Sequence, residues 1–129
     1  MRILLDTHSW LWMASSPERL SAGARALVEA SDNELYLSAA SAWEIAIKHA
    51  LGKLRLPEPP ARYVPSRLDT LRVGALPIEL GHALRVSALP AHHRDPFDRL
   101  LIAQSQLERL PILTSDPAFA LYDVETIPA

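Results

Sequence analysis

The sequence predicts an α/β fold, a three-layer α/β/α sandwich around a central, mainly parallel sheet, built as a single domain over residues 1–129. Three observations carry that reading. Five short and nearly continuous apolar runs, bounded by turn or cap residues, have the character of strands covered on both faces. Longer stretches of helical periodicity separate them, and such alternation implies βαβ units with right-handed crossovers. The chain is also long enough to bury about two thirds of the surface it exposes when unfolded. The parts on either side of its one proline-rich stretch are too short to fold separately.

Taken in order, residues 2–6 (RILLD) read as the first strand, and THSWLWMAS as a helix that Asp6 can cap. SAGARALVEAS, residues 21–31, sets Ala24, Leu27 and Val28 on one helical face. Residues 34–39 (ELYLSA) are the second predicted strand; leucine gives weak β propensity, so length and apolarity make the case. SAWEIAIKHALG, residues 41–52, reads as a helix with a capping box from Ser41 to Glu44, its third helical residue, and a terminal Gly52. Pro57, Pro59, Pro60 and Pro65 mark a surface excursion. A helix over 61–71, a strand over 73–78 (VGALPI) and a helical ELGHALRVSAL over 79–89 follow. The longest helical pattern is PFDRLLIAQSQLERL, residues 96–110, with Asp95 at the N-cap and Pro96 at the first helical position. Strands over 111–116 (PILTSD) and 124–127 (VETI) complete the sheet.

Composition narrows the function classes. The absence of cysteine excludes disulfides, thiolate metal sites and a cysteine nucleophile, and fits a cytoplasmic protein. No apolar run is long enough to span a bilayer, and Asp6 and His8 interrupt the signal-like opening, which reads as mature sequence. A formal net charge of −2 gives no overall attraction to nucleic acid. Locally, however, Lys48, Lys53, Arg55, Arg62, Arg67 and Arg72 stand against only Glu58 and Asp69, a segment that is either a solvated face or a holder of phosphate backbone. Motifs for a nucleophilic serine, a P-loop, a dinucleotide fold and a zinc protease are absent. His8, His49, His82, His92 and His93 lack ligand spacing, with His92 and His93 expected in solvent. Trp10, Trp12 and Trp43 are expected in the core rather than as platforms for bases.

In open parallel sheets, functional groups gather at the carboxyl ends of strands, near the point where strand order reverses. Asp6 and Asp116 end predicted strands, while Glu44 and Asp98 lie in the first turns of helices that start at that same edge. Each has a structural alternative: Asp6 a cap, Glu44 a capping box or an i, i+4 pair with Lys48, Asp98 a capping partner of Asp95, and Asp116 a turn before Pro117. Two carboxylates ~5 Å apart at an effective dielectric of ~20 repel by about 3 kcal/mol, so four in one cleft need protons or cations. Mg²⁺ and Mn²⁺ prefer oxygen ligands, and such a site suits metal-assisted phosphodiester hydrolysis rather than zinc chemistry.

The segments LLDTHSWLW, SAWEIAIKHALGKL, HRDPFDRLLIAQ and ILTSD occur in the order and spacing of a known family. From Ile3 to about Tyr122 the chain resembles the PIN-domain ribonucleases, and is most similar to the VapC toxins of bacterial toxin–antitoxin pairs. The resemblance implies a metal-dependent endoribonuclease in which Asp6, Glu44, Asp98 and Asp116 hold Mg²⁺ or Mn²⁺ and activate water. It implies Thr114 as a hydroxyl that positions a ligand or a water, and Asp95 as a helix cap with a possible supporting role. Lys48, Lys53 and Arg55 become contacts for an RNA backbone. It also implies a homodimer, with the apolar early helices as candidate contacts, and a cognate antitoxin that can offer an arginine to the carboxylates. Two rivals stand beside this reading: a non-catalytic α/β interaction module whose acids only cap helices, and a metal-dependent phosphatase of small phosphoesters. Against the second, the position two residues after Asp6, where a nucleophilic-aspartate phosphatase carries another aspartate, is His8.

Overall fold

The computed structural model describes residues 1–129, and the burial pattern of its strands sets the layers. In β1 (Arg2–Leu5), Ile3 and Leu5 face one side of the sheet and Leu4 the other, all fully buried. A strand apolar on both faces belongs in the middle of a sheet. The sheet also contains β2 (Glu34–Ser38), β3 (Val73–Leu76), β4 (Ile112–Thr114) and β5 (Thr126–Pro128), in the order β3-β2-β1-β4-β5 with every pair parallel. Strand order reverses between β1 and β4, which places the ligand crevice of such a sheet at their carboxyl ends.

Six α-helices fill the connections: α1 (Thr7–Ser15), α2 (Ala22–Glu29), α3 (Ala39–Ala50), α4 (Pro60–Leu71), α5 (Leu80–Arg85) and α6 (Pro96–Glu108). On one face Ile3, Leu5, Leu35, Leu37 and Leu113 pack with Trp10, Met13, Ile45 and Tyr63; on the other, Leu4 and Ile112 pack with Leu101, Ile102, Leu89 and Phe119. The three-layer α/β/α expectation is therefore met. No helix is long and apolar enough to cross a membrane.

Several local expectations need correction. The N-cap of α3 is Ser38, whose hydroxyl accepts the Ala40 N–H at 3.0 Å. The helix thus begins a turn earlier than the Ser41 box required, and Glu44 lies in its second turn. Pro65 lies inside α4, at an exposed position of the helix, rather than in an excursion. The pattern over 79–89 divides into α5 and a 3₁₀ turn, Val86–Ala88, and β5 starts two residues later than expected. Trp10 is buried as expected and Trp12 is half-buried, but Trp43 is 57% exposed, with its ring edge-on to Phe97 at 5.2 Å. Gly52 does end its helix, with φ +73° just past the cap residue Leu51.

One arginine organises the loop that leads into α6. Arg99 donates to the carbonyls of Pro90 (2.9 Å) and Val86 (2.9 Å) and to the Tyr122 hydroxyl (3.2 Å). That hydroxyl donates to Pro90 O and accepts the backbone N–H groups of His92 and His93 at 3.1 and 2.7 Å. A lysine cannot reproduce the planar fork. Arg99→Lys is expected to keep the fold while speeding amide exchange over residues 91–94 at least tenfold, about 1.4 kcal/mol of local opening; unchanged protection would contradict this role.

Candidate metal and catalytic site

Asp6 follows β1 and caps α1: its Oδ1 accepts the Ser9 N–H at 2.8 Å. Its Oδ2 accepts the hydroxyl of Thr114, the last residue of β4, at 2.6 Å. Thr114 Oγ1 in turn accepts the Asp116 N–H at 3.0 Å, so one hydroxyl ties the two strand-end acids together. Asp116 Oδ1 starts the 3₁₀ turn Pro117–Leu121 by accepting the Ala118 N–H at 2.9 Å.

Glu44 is 3% exposed and fully served. Thr7 Oγ1 donates to its Oε1 at 2.7 Å, and Lys48 Nζ to its Oε2 at 2.6 Å. With the Thr7 proton committed there, the Ser41 hydroxyl, 2.8 Å away, is left to donate to Thr7. The Lys48 pKa is raised above its ordinary value, chiefly by that hydrogen bond to Glu44; burial opposes the rise, and the charges of Asp95 and Asp98 add to it. Asp95 caps α6 as expected, its Oδ1 accepting the N–H groups of Phe97 (2.8 Å) and Asp98 (3.2 Å).

Asp98 differs from the others, because neither of its carboxylate oxygens accepts a well-formed hydrogen bond. Its side chain is 17% exposed, and its Oδ2 lies 2.9 Å from His93 Nε2, without good alignment. Burial pushes its pKa up to about 7, with Asp95, Glu44 and Asp6 raising it further and His93 opposing them. A carboxylate with no well-formed hydrogen bond has little local to favour its charge.

The structure therefore brings Asp98 and Asp116 together directly, with His93 between them: one ligand atom from each of the three lies within 4.8 Å of the others. Asp6 joins through Thr114, and Glu44 through Thr7, the neighbour of Asp6. His93 is not a solvent residue: its Nε2 is buried and also lies 3.4 Å from Asp116 Oδ2. The HH dipeptide reads as loop, and the only signal in the sequence was its position just before the Asp95 cap.

The basic segment does not act as one surface. Lys48, Lys53 and Arg55 line a groove of about 510 Å³ beside the acids, which also includes Thr7, His8 and Arg19. Arg67 and Arg72 line a separate cavity with Met13 and Leu20, and Arg67 donates to the Ala14 carbonyl at 3.2 Å. The donor set at the sheet edge is mainly carboxylate and hydroxyl oxygen, with one acid lacking any partner of its own. Such a set fits a hard divalent cation.

Residues 3–125 match the family model for the PIN domain. Ribonuclease VapC22 of Mycobacterium tuberculosis (strain ATCC 25618 / H37Rv) is 30% identical over 116 residues, 88% of this chain and 86% of that protein. Ribonuclease VapC16 of the same organism is 54% identical over 59 residues, 46% of this chain, and the match spans only 40% of that relative's length. Among solved structures, VapBC2 from Rickettsia felis bound to a DNA fragment from its promoter superposes with a TM-score of 0.72 at 12% identity, covering 98% of each chain. FitAcB from Neisseria gonorrhoeae gives 0.61 at 22%, covering 99% of this chain and 97% of that one. At these identities the likeness shows the fold.

The unserved carboxylate has a pH signature. The folded pKa of Asp98, about 7, exceeds its ordinary 3.8, so the native state binds the proton more tightly. The stability this contributes is complete below about pH 4 and is lost as pH rises through about 7. In the presence of chelator, Asp98→Asn is expected to be more stable than wild type at pH 8, by on the order of 1–2 kcal/mol, with the difference vanishing near pH 4. Urea unfolding at both pH values measures it; a pH-independent difference would contradict the assignment.

Proposed function

The chain belongs to the PIN domain family, and on that premise we propose that it is a metal-dependent endoribonuclease, a VapC-like toxin that hydrolyses RNA and is restrained by a cognate antitoxin. The observation that carries this reading is the gathering of four acids at one sheet edge, with Asp98 left without a well-formed hydrogen bond. Capping accounts for Asp6, Asp95 and Asp116, as a non-catalytic module would require. Glu44 forms the i, i+4 pair with Lys48 and receives Thr7, but no structural role accounts for Asp98, which caps nothing. The names of the relatives VapC22 and VapC16, both ribonucleases, support the activity.

Asp6, Glu44, Asp98 and Asp116 would hold Mg²⁺ or Mn²⁺. When bound, the ion supplies the charge that offsets the cluster, and acidifies water for attack on phosphorus. Asp6 is held rigid by Ser9 and Thr114, which suits a fixed ligand. Glu44 is oriented by Thr7 and Lys48, while Thr114 keeps Asp6 and Asp116 in register. The Lys48 ammonium is engaged by Glu44, so it meets RNA at the mouth of the acid site, and Lys53 and Arg55 continue the positive charge along the groove. Water as nucleophile needs no ribose 2′-OH, so preference for RNA comes from shape and from single-stranded loops.

For partners, the resemblance to VapC toxins brings a cognate antitoxin with it, and the fold shared with VapBC2, solved bound to a DNA fragment from its promoter, is consistent with that reading. A guanidinium from the antitoxin would find in Asp98 a carboxylate whose one neighbouring donor, His93 Nε2, is poorly aligned. A homodimer is supported by one exposed apolar stripe: Trp43, Ala46, Ile47, Ala50 and Leu51 follow one face of α3 and its C-cap, uninterrupted by charge. The same stripe on a second copy makes an isologous contact. We place the protein in the cytoplasm, consistent with its lack of cysteine.

Asp6→Asn is expected to fold normally and to lose RNA cleavage at least a hundredfold, with end-labelled structured RNA as substrate. Full activity, or wild-type hydrolysis of a small phosphate ester but not of RNA, would refute the proposal. Ile47→Glu is expected to convert a dimer to a folded monomer in sedimentation equilibrium; a monomeric wild type would remove the dimer.

A further inference from the structure

His93 enters the carboxylate cluster from the loop before α6, half-buried. The Asp95 N–H donates to Nδ1 at 3.3 Å. The backbone N–H of His93 donates to the Tyr122 hydroxyl, and its ring stands edge-on to Phe119 at 6.1 Å. Nε2 is buried 2.9 Å from Asp98 Oδ2 and 3.4 Å from Asp116 Oδ2. A neutral imidazole carries one proton, and a nitrogen that accepts a hydrogen bond is not the one carrying it. The proton therefore sits on Nε2, where no lone pair is left for a cation.

We infer that His93 is a positioning residue rather than a metal ligand: its Nε2–H is shared between Asp98 and Asp116 and holds these two like charges facing each other across the site. This rests on the metal-site reading above and deepens it. The N–H is aligned with neither carboxylate. A single buried donor placed between two acceptors favours the pair without satisfying either one, which leaves both free to turn toward a cation. Asp116 has the Ala118 N–H as well, but Asp98 has only His93. The ligand set that remains is entirely oxygen, which selects Mg²⁺ or Mn²⁺ over zinc.

Removing an outer donor of this kind typically lowers metal affinity 10–100-fold. Mn²⁺ titration of folded wild type, His93→Gln and His93→Ala, followed by the free-ion EPR signal, tests the inference together with pulsed EPR of the loaded wild type. The glutamine amide can donate in place of Nε2–H, so His93→Gln is expected to keep affinity within about threefold, whereas His93→Ala loses about 10–100-fold. The loaded wild type is expected to show no directly bound nitrogen. A directly coordinated ¹⁴N coupling, or wild-type affinity in His93→Ala, would overturn the inference while leaving the metal site standing. Absence of Mn²⁺ binding by wild type would overturn both. If His93→Ala does not fold, the nitrogen coupling in wild type decides alone.

Discussion

Mutual repulsion among the carboxylates at the carboxyl edge of β1 and β4 is the constraint to which the rest of this structure answers. Two carboxylates ~5 Å apart repel by roughly 3 kcal/mol at an effective dielectric of ~20, and ligand atoms of Asp98 and Asp116 lie within 4.8 Å of each other. The chain offsets most of this locally. Helix and turn starts supply N–H groups to Asp6, Asp95 and Asp116, Thr114 and Thr7 supply hydroxyls, and Lys48 supplies a full charge to Glu44. Only Asp98 is left with a single, poorly aligned donor, and it is also the acid whose pKa is pushed up to about 7. The uncompensated part of the repulsion is thus concentrated on one side chain, where an added cation does the most good.

Capping therefore does not preclude a free oxygen facing the cluster. Asp6 and Asp116 each commit Oδ1 to starting a helical turn and turn Oδ2 toward the cluster. The cap makes the second oxygen a rigid one, because the backbone it grips belongs to a helix packed on the sheet. Asp95 and Asp98 divide the same work between two residues: Asp95 receives both N–H groups of the α6 start, and Asp98, one turn inside, is left bare. Folding and site geometry share the same hydrogen bonds, so a substitution that loosens a cap also moves a carboxylate.

The parallel sheet was legible because Ile3–Leu5, Leu35–Leu37 and Ile112–Leu113 are apolar without alternation, which is how a strand buried on both faces reads. Four acids could be placed at one edge because three of them follow strand ends or open helices. Other features were not legible, for physical reasons. Ser38 and Ser41 are equally good caps by composition, and only tertiary packing selects the first. The half-buried position of His93 depends on Tyr122, distant in sequence, which grips its loop together with Arg99. Trp43 has the residue type of a core position and the periodicity of α3, but it falls on the face turned away from the sheet, alongside Ile47 and Leu51.

The most direct test is to locate the ion itself. A crystal of the wild-type protein soaked in Mn²⁺ and measured at the manganese absorption edge is expected to give an anomalous peak among Asp6, Glu44, Asp98 and Asp116, about 2–2.5 Å from their ligating carboxylate oxygens, with His93 Nε2 outside that shell. A crystal saturated with Mn²⁺ that shows no peak among these side chains, or a peak bound elsewhere on the chain, would contradict the account.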